Sequence, residues 1–274
     1  MLRDITIGQH YPVESPIHKL DARTKIAMTF GFIISLFFGT NIIVYGVAGI
    51  ILALVIKASK VPFGYMIKGL KSILFLVVFT VLINIFMVSG DHVIFEIWKL
   101  KATWEGVLTA FLLATRLMML IIGSSILTLT TTPINLTDAI EKLLKPFEKI
   151  RVPAHEIAMM MTIALRFIPI LLEETDKIMK AQMARGADFE NGGLIKKAKA
   201  LVPLLVPLFI SAFRRADDLA LAMEARCYRG GEGRTKMKKL KYGKNDFVAY
   251  IMIFVYLVGM IILGQVLKDV SLFF

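Results

Sequence analysis

The chain contains 274 residues, of which 57% are hydrophobic, 20% are charged and one is a cysteine, and its formal net charge is +12. An apolar content this high excludes a disordered chain, and a single cysteine excludes an internal disulfide or a site built from several thiolates. Because the apolar residues lie in long uninterrupted runs, the composition indicates an integral membrane protein.

Four apolar runs predict five membrane spans, since a helix needs about 20 apolar residues to cross the hydrocarbon layer. Residues 26–56 contain no charged side chain and are interrupted at Gly39-Thr40-Asn41, which predicts two spans joined by a tight turn. Residues 72–90 predict the third span, residues 106–132 the fourth and residues 247–266 the fifth.

Lysine and arginine residues alternate between the connections and so predict the orientation. Residues 1–25 and 57–71 contain four each, whereas the turn between the first two spans contains none. Basic residues favour the cytoplasmic side. We therefore expect a cytoplasmic N-terminus, and the chain divides into residues 1–132 with the first four spans, 133–246 as a cytoplasmic region, and 247–274 with the last span.

The basic excess belongs to the predicted cytoplasmic region. Residues 142–244 contain 21 of the 33 Lys and Arg residues and 11 of the 21 Asp and Glu residues. Such an excess can lie against anionic lipid headgroups or meet an acidic partner. Nucleic acid is not expected as a partner, because no reader motif and no interleaving of basic and aromatic residues is present.

A first amphipathic helix is predicted after Thr132-Pro133, which has the pattern of an N-cap followed by proline at the first helical position. Lysines lie beside its apolar stripe, which is formed by Leu136, Ile140, Leu143, Phe147 and Ile150. This pattern is typical of a helix at a membrane interface, but a helix packed on its own protein would show the same stripe. The sequence leaves both interpretations open.

Two long helices are predicted next, at about residues 154–185 and 194–226, although Pro169, Pro203 and Pro207 are expected to bend or interrupt them. Each repeats its stripe with a strict 4, 3 alternation, which predicts a seam that packs against a partner helix. Dense charges in both helices argue against their being membrane spans. The predicted surface for helix pairing or partner binding contains Ile157, Met161, Ile168, Leu201, Leu205 and Leu208.

Both long helices end with an arginine between two small residues, in Ala184-Arg185-Gly186 and Ala225-Arg226-Cys227. One such arginine would be explained by a helix stop and by the helix dipole alone. Two copies, one on each paired helix, predict docking sites in which each guanidinium binds carboxylates or carbonyls in a partner's groove.

In the order of these features the chain resembles the transmembrane T component of energy-coupling factor (ECF) transporters, the membrane subunits of bacterial vitamin and cobalt or nickel importers. The run Ser-Pro-Ile-His-Lys-Leu-Asp-Ala-Arg-Thr-Lys at residues 15–25 resembles the family's signature before the membrane. Residues 184–186 match its first arginine motif and residues 225–227 its second, with Cys227 where glycine is more usual.

The resemblance implies an all-α integral membrane protein with about five transmembrane helices, in a bacterial or archaeal cell membrane. Two ATP-binding-cassette ATPases would each take one arginine-bearing helix end and would bind the ATP and magnesium. The chain itself would contain no catalytic residue, metal site or cofactor site. Its coupling helices would hold a small substrate-binding membrane protein, the S component, and would link ATP hydrolysis to the uptake of vitamins or other micronutrients.

The alternative is a polytopic secondary transporter or channel that acts without ATPases. Such proteins usually place ionisable groups at mid-membrane, and Arg116 in the fourth predicted span could be one. We interpret it instead as a packing or snorkelling arginine. An enzyme is not expected, since the sequence contains no P-loop, no H-E-x-x-H motif and no G-x-S-x-G motif.

Overall fold

The computed structural model describes residues 10–39, 41–88, 93–97, 100–187, 189, 193–231 and 240–271. The elements in chain order are α1 (Ala22–Ser35), α2 (Ile42–Ser59), α3 (Phe63–Met87), β1 (Val93–Ile97), β2 (Leu100–Thr103), α4 (Trp104–Thr130), α5 (Pro133–Leu144), the 3-10 helix η1 (Lys145–Ile150), α6 (Ala154–Ala184), α7 (Leu194–Ala225) and α8 (Lys244–Ser271). The strands β1 and β2 form one antiparallel hairpin.

The chain divides into two compact units. The bundle unit comprises Gly8–Leu136 and Leu240–Phe274 and contains α1 to α4, the β-hairpin and α8. The hairpin unit includes Thr137–Lys239 and contains most of α5 together with η1, α6 and α7. The domain boundary predicted after residue 132 therefore lies four residues before the unit boundary after residue 136.

The structure confirms an all-α membrane protein, to which it adds the short β-hairpin. Among the described residues, α2, α4, α6 and the Lys244–Leu267 part of α8 are long and apolar enough to cross a membrane, and Ile73–Met87 of α3 is a shorter apolar segment. The break predicted near residue 40 is confirmed by the end of α1 and the start of α2. The cytoplasmic placement of α6 stays a prediction, because its length and hydropathy also permit a span.

The core of the bundle unit is apolar and is built mainly from α1, α2 and α4. It includes Phe32 of α1, Leu36 just after α1, and Leu129 of α4. Close approach of α1 and α4 requires Gly123, since a Cβ there would lie 2.8 Å from the Phe32 ring. Many large apolar side chains of α3 and α8 face outward. In a bilayer, where helices satisfy their own backbone groups, such surfaces are stable against lipid.

A polar junction connects the starts of α1 and α8 with the end of α4. The Lys25 Nζ donates to the carbonyl of Thr130 at 2.8 Å and to that of His18 at 3.1 Å. The two carboxylate oxygens of Asp246 accept the backbone N–H groups of Asp21 and Gly243, each at 2.8 Å. The second of these bonds has the geometry of an acidic residue capping its own helix start.

The signature at residues 15–25 forms one side of this junction. Ser15 Oγ lies 2.7 Å from His18 Nδ1, and Asp21 caps α1 by accepting the Arg23 backbone N–H at 2.9 Å. Arg23 also pairs with the Asp21 carboxylate at 2.9 Å and lies over the Tyr242 ring at 3.8 Å. Burial alone would raise the pKa of Asp21, but the hydrogen bonds from Arg23 outweigh it and hold the pKa below its ordinary value.

The start of α5 and the long helices α6 and α7 follow the sequence expectations, except at the prolines. The Thr132 hydroxyl accepts the Asn135 N–H at 3.4 Å and α5 begins at Pro133, which confirms the predicted N-cap and first helical position. Both α6 and α7 run without interruption through their internal prolines. Pro169, Pro203 and Pro207 therefore do not interrupt these helices, and a bend at the prolines stays a prediction.

We expect Asp246→Asn to lower the free energy of unfolding by about 1–3 kcal/mol, because the amide can replace only one of two buried acceptor oxygens. Thermal unfolding of the purified chain in detergent micelles measures the effect. Asp217→Asn, at an exposed position of α7, is the matched control and should change the melting temperature little. Equal melting temperatures for the two variants would contradict a stabilising role for the junction.

Candidate helix-end docking sites

The two arginine motifs end their helices with the same hydrogen-bonding pattern. At the end of α6 the Gly186 N–H donates to the Met183 carbonyl at 2.9 Å, and the Ala187 N–H donates to the Gln182 carbonyl at 3.0 Å. These two bonds define a Schellman stop, with Arg185 as the last half-helical residue and Gly186 at a φ of +87°. We call residues 182–187 the first stop.

The end of α7 repeats this geometry with a cysteine in place of the glycine. The Cys227 N–H donates to the Glu224 carbonyl at 2.8 Å, and the Tyr228 N–H donates to the Met223 carbonyl at 3.0 Å. We call residues 223–228 the second stop. Cys227 has a φ of +54°, so a non-glycine residue occupies the left-handed conformation at a cost of about 1–2 kcal/mol. The departure from glycine noted in the sequence therefore leaves the stop intact.

Helices α6 and α7 pack antiparallel along their length. Near the first stop, Gln182 Nε2 donates to the Pro203 carbonyl at 3.5 Å. In the middle, the Glu174 carboxylate accepts Ser211 Oγ at 2.6 Å and the Arg215 guanidinium at 2.9 Å. The two stops consequently lie at opposite ends of the pair, about 40 Å apart at 1.5 Å of rise per residue.

The second stop is held against the beginning of α6. The Tyr228 hydroxyl lies 3.0 Å from Met159 Sδ and 3.4 Å from His155 Nε2, while His155 Nδ1 lies 3.2 Å from the Glu141 carboxylate of α5. A Cβ at Gly231 would lie 2.6 Å from the His155 ring, so glycine permits this close approach. Sequence reasoning missed Tyr228 and His155, because neither belongs to an apolar stripe or to a known ligand spacing.

Both motif arginines are exposed, and no ion pair or side-chain hydrogen bond to either of them is found within the described part of the chain. Arg23 and Arg215 differ, since each has a carboxylate partner at 2.9 Å. An exposed guanidinium at a rigid helix end keeps its full set of donors available to a carboxylate or carbonyl of another molecule. Their small neighbours Ala184 and Ala225 are also exposed.

The predicted apolar surface is only partly shielded within the helix pair. Met161 is half-buried, as are Ile157 and Leu208, whereas Ile168 is exposed. Leu201 and Leu205 are 47% and 43% exposed, and it is Leu204, at 5%, that is buried. In the first half of α7, Leu201 and Leu205 are therefore largely uncovered within the described chain. A contact of Leu201 and Leu205 with a partner stays a prediction.

Arg116 of α4 has partners that account for its place in an apolar helix. Its Nε donates to the Leu36 carbonyl just after α1 at 3.1 Å, and its guanidinium lies 4.7 Å from the centre of the Phe37 ring. The hydrogen bond and the cation–π contact hold the turn after α1 against α4. The interpretation of Arg116 as a packing arginine is confirmed. Within the described residues, no cluster of three or more His, Cys, Asp or Glu side chains could hold a metal ion.

The apolar bundle and the four candidate spans define a multi-pass helical membrane protein. Residues 13–237 match the family CbiQ, described as cobalt transport protein, and the chain belongs to this family. The match covers both arginine motifs and the whole signature at residues 15–25.

Several relatives are similar over nearly their whole length and are each called energy-coupling factor transporter transmembrane protein EcfT. The protein of Clostridium kluyveri is 59% identical over 91% of this chain and 93% of the relative. That of Thermosediminibacter oceani is 54% identical over 97% and 98%, and that of Bacillus subtilis is 48% identical over 90% and 93%. The resemblance to the transmembrane component of ECF transporters is thus confirmed.

We expect Cys227→Gly to raise the melting temperature of the purified chain slightly and Cys227→Val to lower it. Glycine relieves about 1 kcal/mol of left-handed strain, whereas a β-branched side chain tolerates positive φ poorly. Cys227→Ser, which removes the thiol and keeps the size, is the control and should leave the melting temperature nearly unchanged. Equal melting temperatures for the glycine and valine variants would show that the left-handed turn is not formed.

Proposed function

We propose that this chain is the energy-coupling subunit of an ATP-driven importer and that Arg185 and Arg226 dock two ATP-binding-cassette ATPases. The observation that carries the proposal is the pair of identical helix stops, each presenting an exposed arginine. The chain catalyses no reaction itself, because ATP and magnesium are bound by the ATPases. The cargo is a vitamin or another micronutrient held by a separate S component.

The spacing of the stops favours two partners over one. A separation of about 40 Å is too long for neighbouring pockets of one small groove, but it suits two ATPase subunits side by side. Each guanidinium can form a bidentate contact with a carboxylate or bind backbone carbonyls in the groove that receives it. Small residues beside each arginine let the groove approach the helix end closely.

The contacts between α6 and α7 would allow the helix pair to transmit a displacement from one end to the other. Glu174 bridges to Ser211 and Arg215 at the middle of the pair, and Tyr228 holds the second stop against α6. Displacing either stop would therefore shift both helices together. In our account, closure of the ATPases on ATP moves the two stops, and the helix pair passes this movement to the S component.

An apolar face of α7 supports the proposed contact with the S component. Its members are exposed and therefore not used for packing in the described chain, and they include Leu201, Val202, Leu205, Val206, Phe209, Ile210 and Phe213. A continuous apolar face of this size is typical of a surface that binds another protein. The proposed orientation, with the N-terminus and the coupling helices in the cytoplasm, follows the distribution of Lys and Arg.

We expect Arg185→Glu and Arg226→Glu each to weaken ATPase binding, and the double variant to abolish ATP-driven transport. Removing one member of a buried charge pair typically lowers the binding free energy by about 2–5 kcal/mol, mostly through faster dissociation. Because a second docking site remains, single variants should retain partial association. Co-purification of the ATPases and uptake into proteoliposomes measure the two effects.

Lys180→Glu and Arg229→Glu are the matched controls for this experiment, since both residues are exposed and lie close to Arg185 and Arg226 in the chain. They should reduce binding much less. Equal losses in all four variants would show that general basic charge binds the ATPases, and unchanged binding in the two motif variants would leave the arginines as helix stops only. Two further basic residues suited to the same control, Arg234 and Lys238, lie outside the described residues.

We expect Leu205→Glu to remove the S component while the purified chain keeps its fold, because Leu205 is exposed and its face is apolar. Leu204→Glu should instead lower the melting temperature, since an unpaired buried carboxylate costs several kcal/mol. Co-purification of the S component and thermal unfolding separate the two outcomes. Normal S-component binding by Leu205→Glu would exclude this face of α7 as the contact.

A further inference from the structure

The apolar stripe of α5 and η1 is half-buried at its beginning and exposed at its end. Leu136 and Ile140 are half-buried, but Leu143 is 39% exposed, Phe147 51% and Ile150 71%. Leu143 lies in the last turn of α5, and Phe147 and Ile150 lie on one side of η1, because a 3-10 helix has three residues per turn. Large apolar side chains grouped in this way indicate a surface that meets another apolar phase.

Exposed lysines accompany these apolar side chains. Lys142, Lys145 and Lys149 are all exposed, and between residues 142 and 150 the only acidic residue in the sequence is Glu148. We call the set of Leu143, Phe147, Ile150 and the three lysines the α5–η1 face. Apolar side chains flanked by lysines match the boundary between acyl chains and anionic headgroups.

The position of this face in the chain favours lipid over a protein partner. Helix α4 is long and apolar enough to span a membrane and ends at Thr130, and α5 begins only three residues later at Pro133. The segment therefore starts at a bilayer surface. The sequence left open whether this helix lies at a membrane interface or packs on its own protein. Within the described structure, Leu143, Phe147 and Ile150 are exposed and do not pack on the chain's own core.

We infer that the α5–η1 face binds anionic phospholipids. Leu143, Phe147 and Ile150 enter the boundary with the acyl chains, and Lys142, Lys145 and Lys149 contact the phosphate groups. Long lysine side chains can reach headgroups while their methylene groups cover apolar surface. This contact goes beyond ATPase docking, since it would fix the first coupling helix to the membrane whichever partners are present.

The test places a single tryptophan on this face in the full-length chain. Phe147→Trp is combined with Trp98→Phe and Trp104→Phe, and the protein is placed in nanodiscs that contain brominated lipids, which quench tryptophan at short range. One set contains phosphatidylcholine alone and the other contains added phosphatidylglycerol. We expect about twofold stronger quenching with phosphatidylglycerol, and loss of that difference when Lys142, Lys145 and Lys149 are changed to Glu.

The matched control combines Glu148→Trp with Trp98→Phe and Trp104→Phe and keeps Phe147. Residue 148 lies next to Phe147 but off the apolar stripe. Its quenching should be weaker in both lipids. Two outcomes would overturn the inference. Weak quenching at both positions would mean that water or a protein covers the face, and equal quenching of Trp at 147 in the two lipids would mean apolar insertion without recognition of anionic headgroups.

Discussion

Antiparallel packing of α6 and α7 is the constraint on which the account of this protein depends. The pairing is maintained by Gln182 near one end, by Glu174 with Ser211 and Arg215 in the middle, and by Tyr228 near the other end. Because helices are stiff, these contacts fix where the two stops lie relative to each other. In the proposed function Arg185 and Arg226 bind separate partners, which requires that the pair hold them at opposite ends.

In the bundle unit, charged residues from distant parts of the chain are buried together beside the apolar core. Lys25, Asp21 and Asp246 are buried, and each has polar partners in the junction of α1, α4 and α8. Satisfying these groups offsets the large cost of removing charges from water. The junction explains why the signature at residues 15–25 is rich in polar residues although it directly precedes an apolar helix.

The sequence predicted features that depend on local chemistry, and it failed where tertiary packing decides. The start of α5 at Pro133 and the helix ends at both arginines follow from capping and stop patterns. By contrast, α7 is apolar on more than one side, so periodicity could not show that Leu204 rather than Leu201 or Leu205 is buried. The bond between Asp21 and Asp246 joins residues 225 positions apart, and no local pattern reports such a contact.

The most direct test of the central claim is cross-linking of the assembled transporter. With Cys227 replaced by serine, cysteines at Ala184 and Ala225, both exposed beside the motif arginines, can be linked to nearby amines by a short thiol-to-amine reagent. The account predicts one chain joined to two ATPase chains in the double variant and to one in each single variant. A double variant joined to only one ATPase chain, or to none, would contradict it.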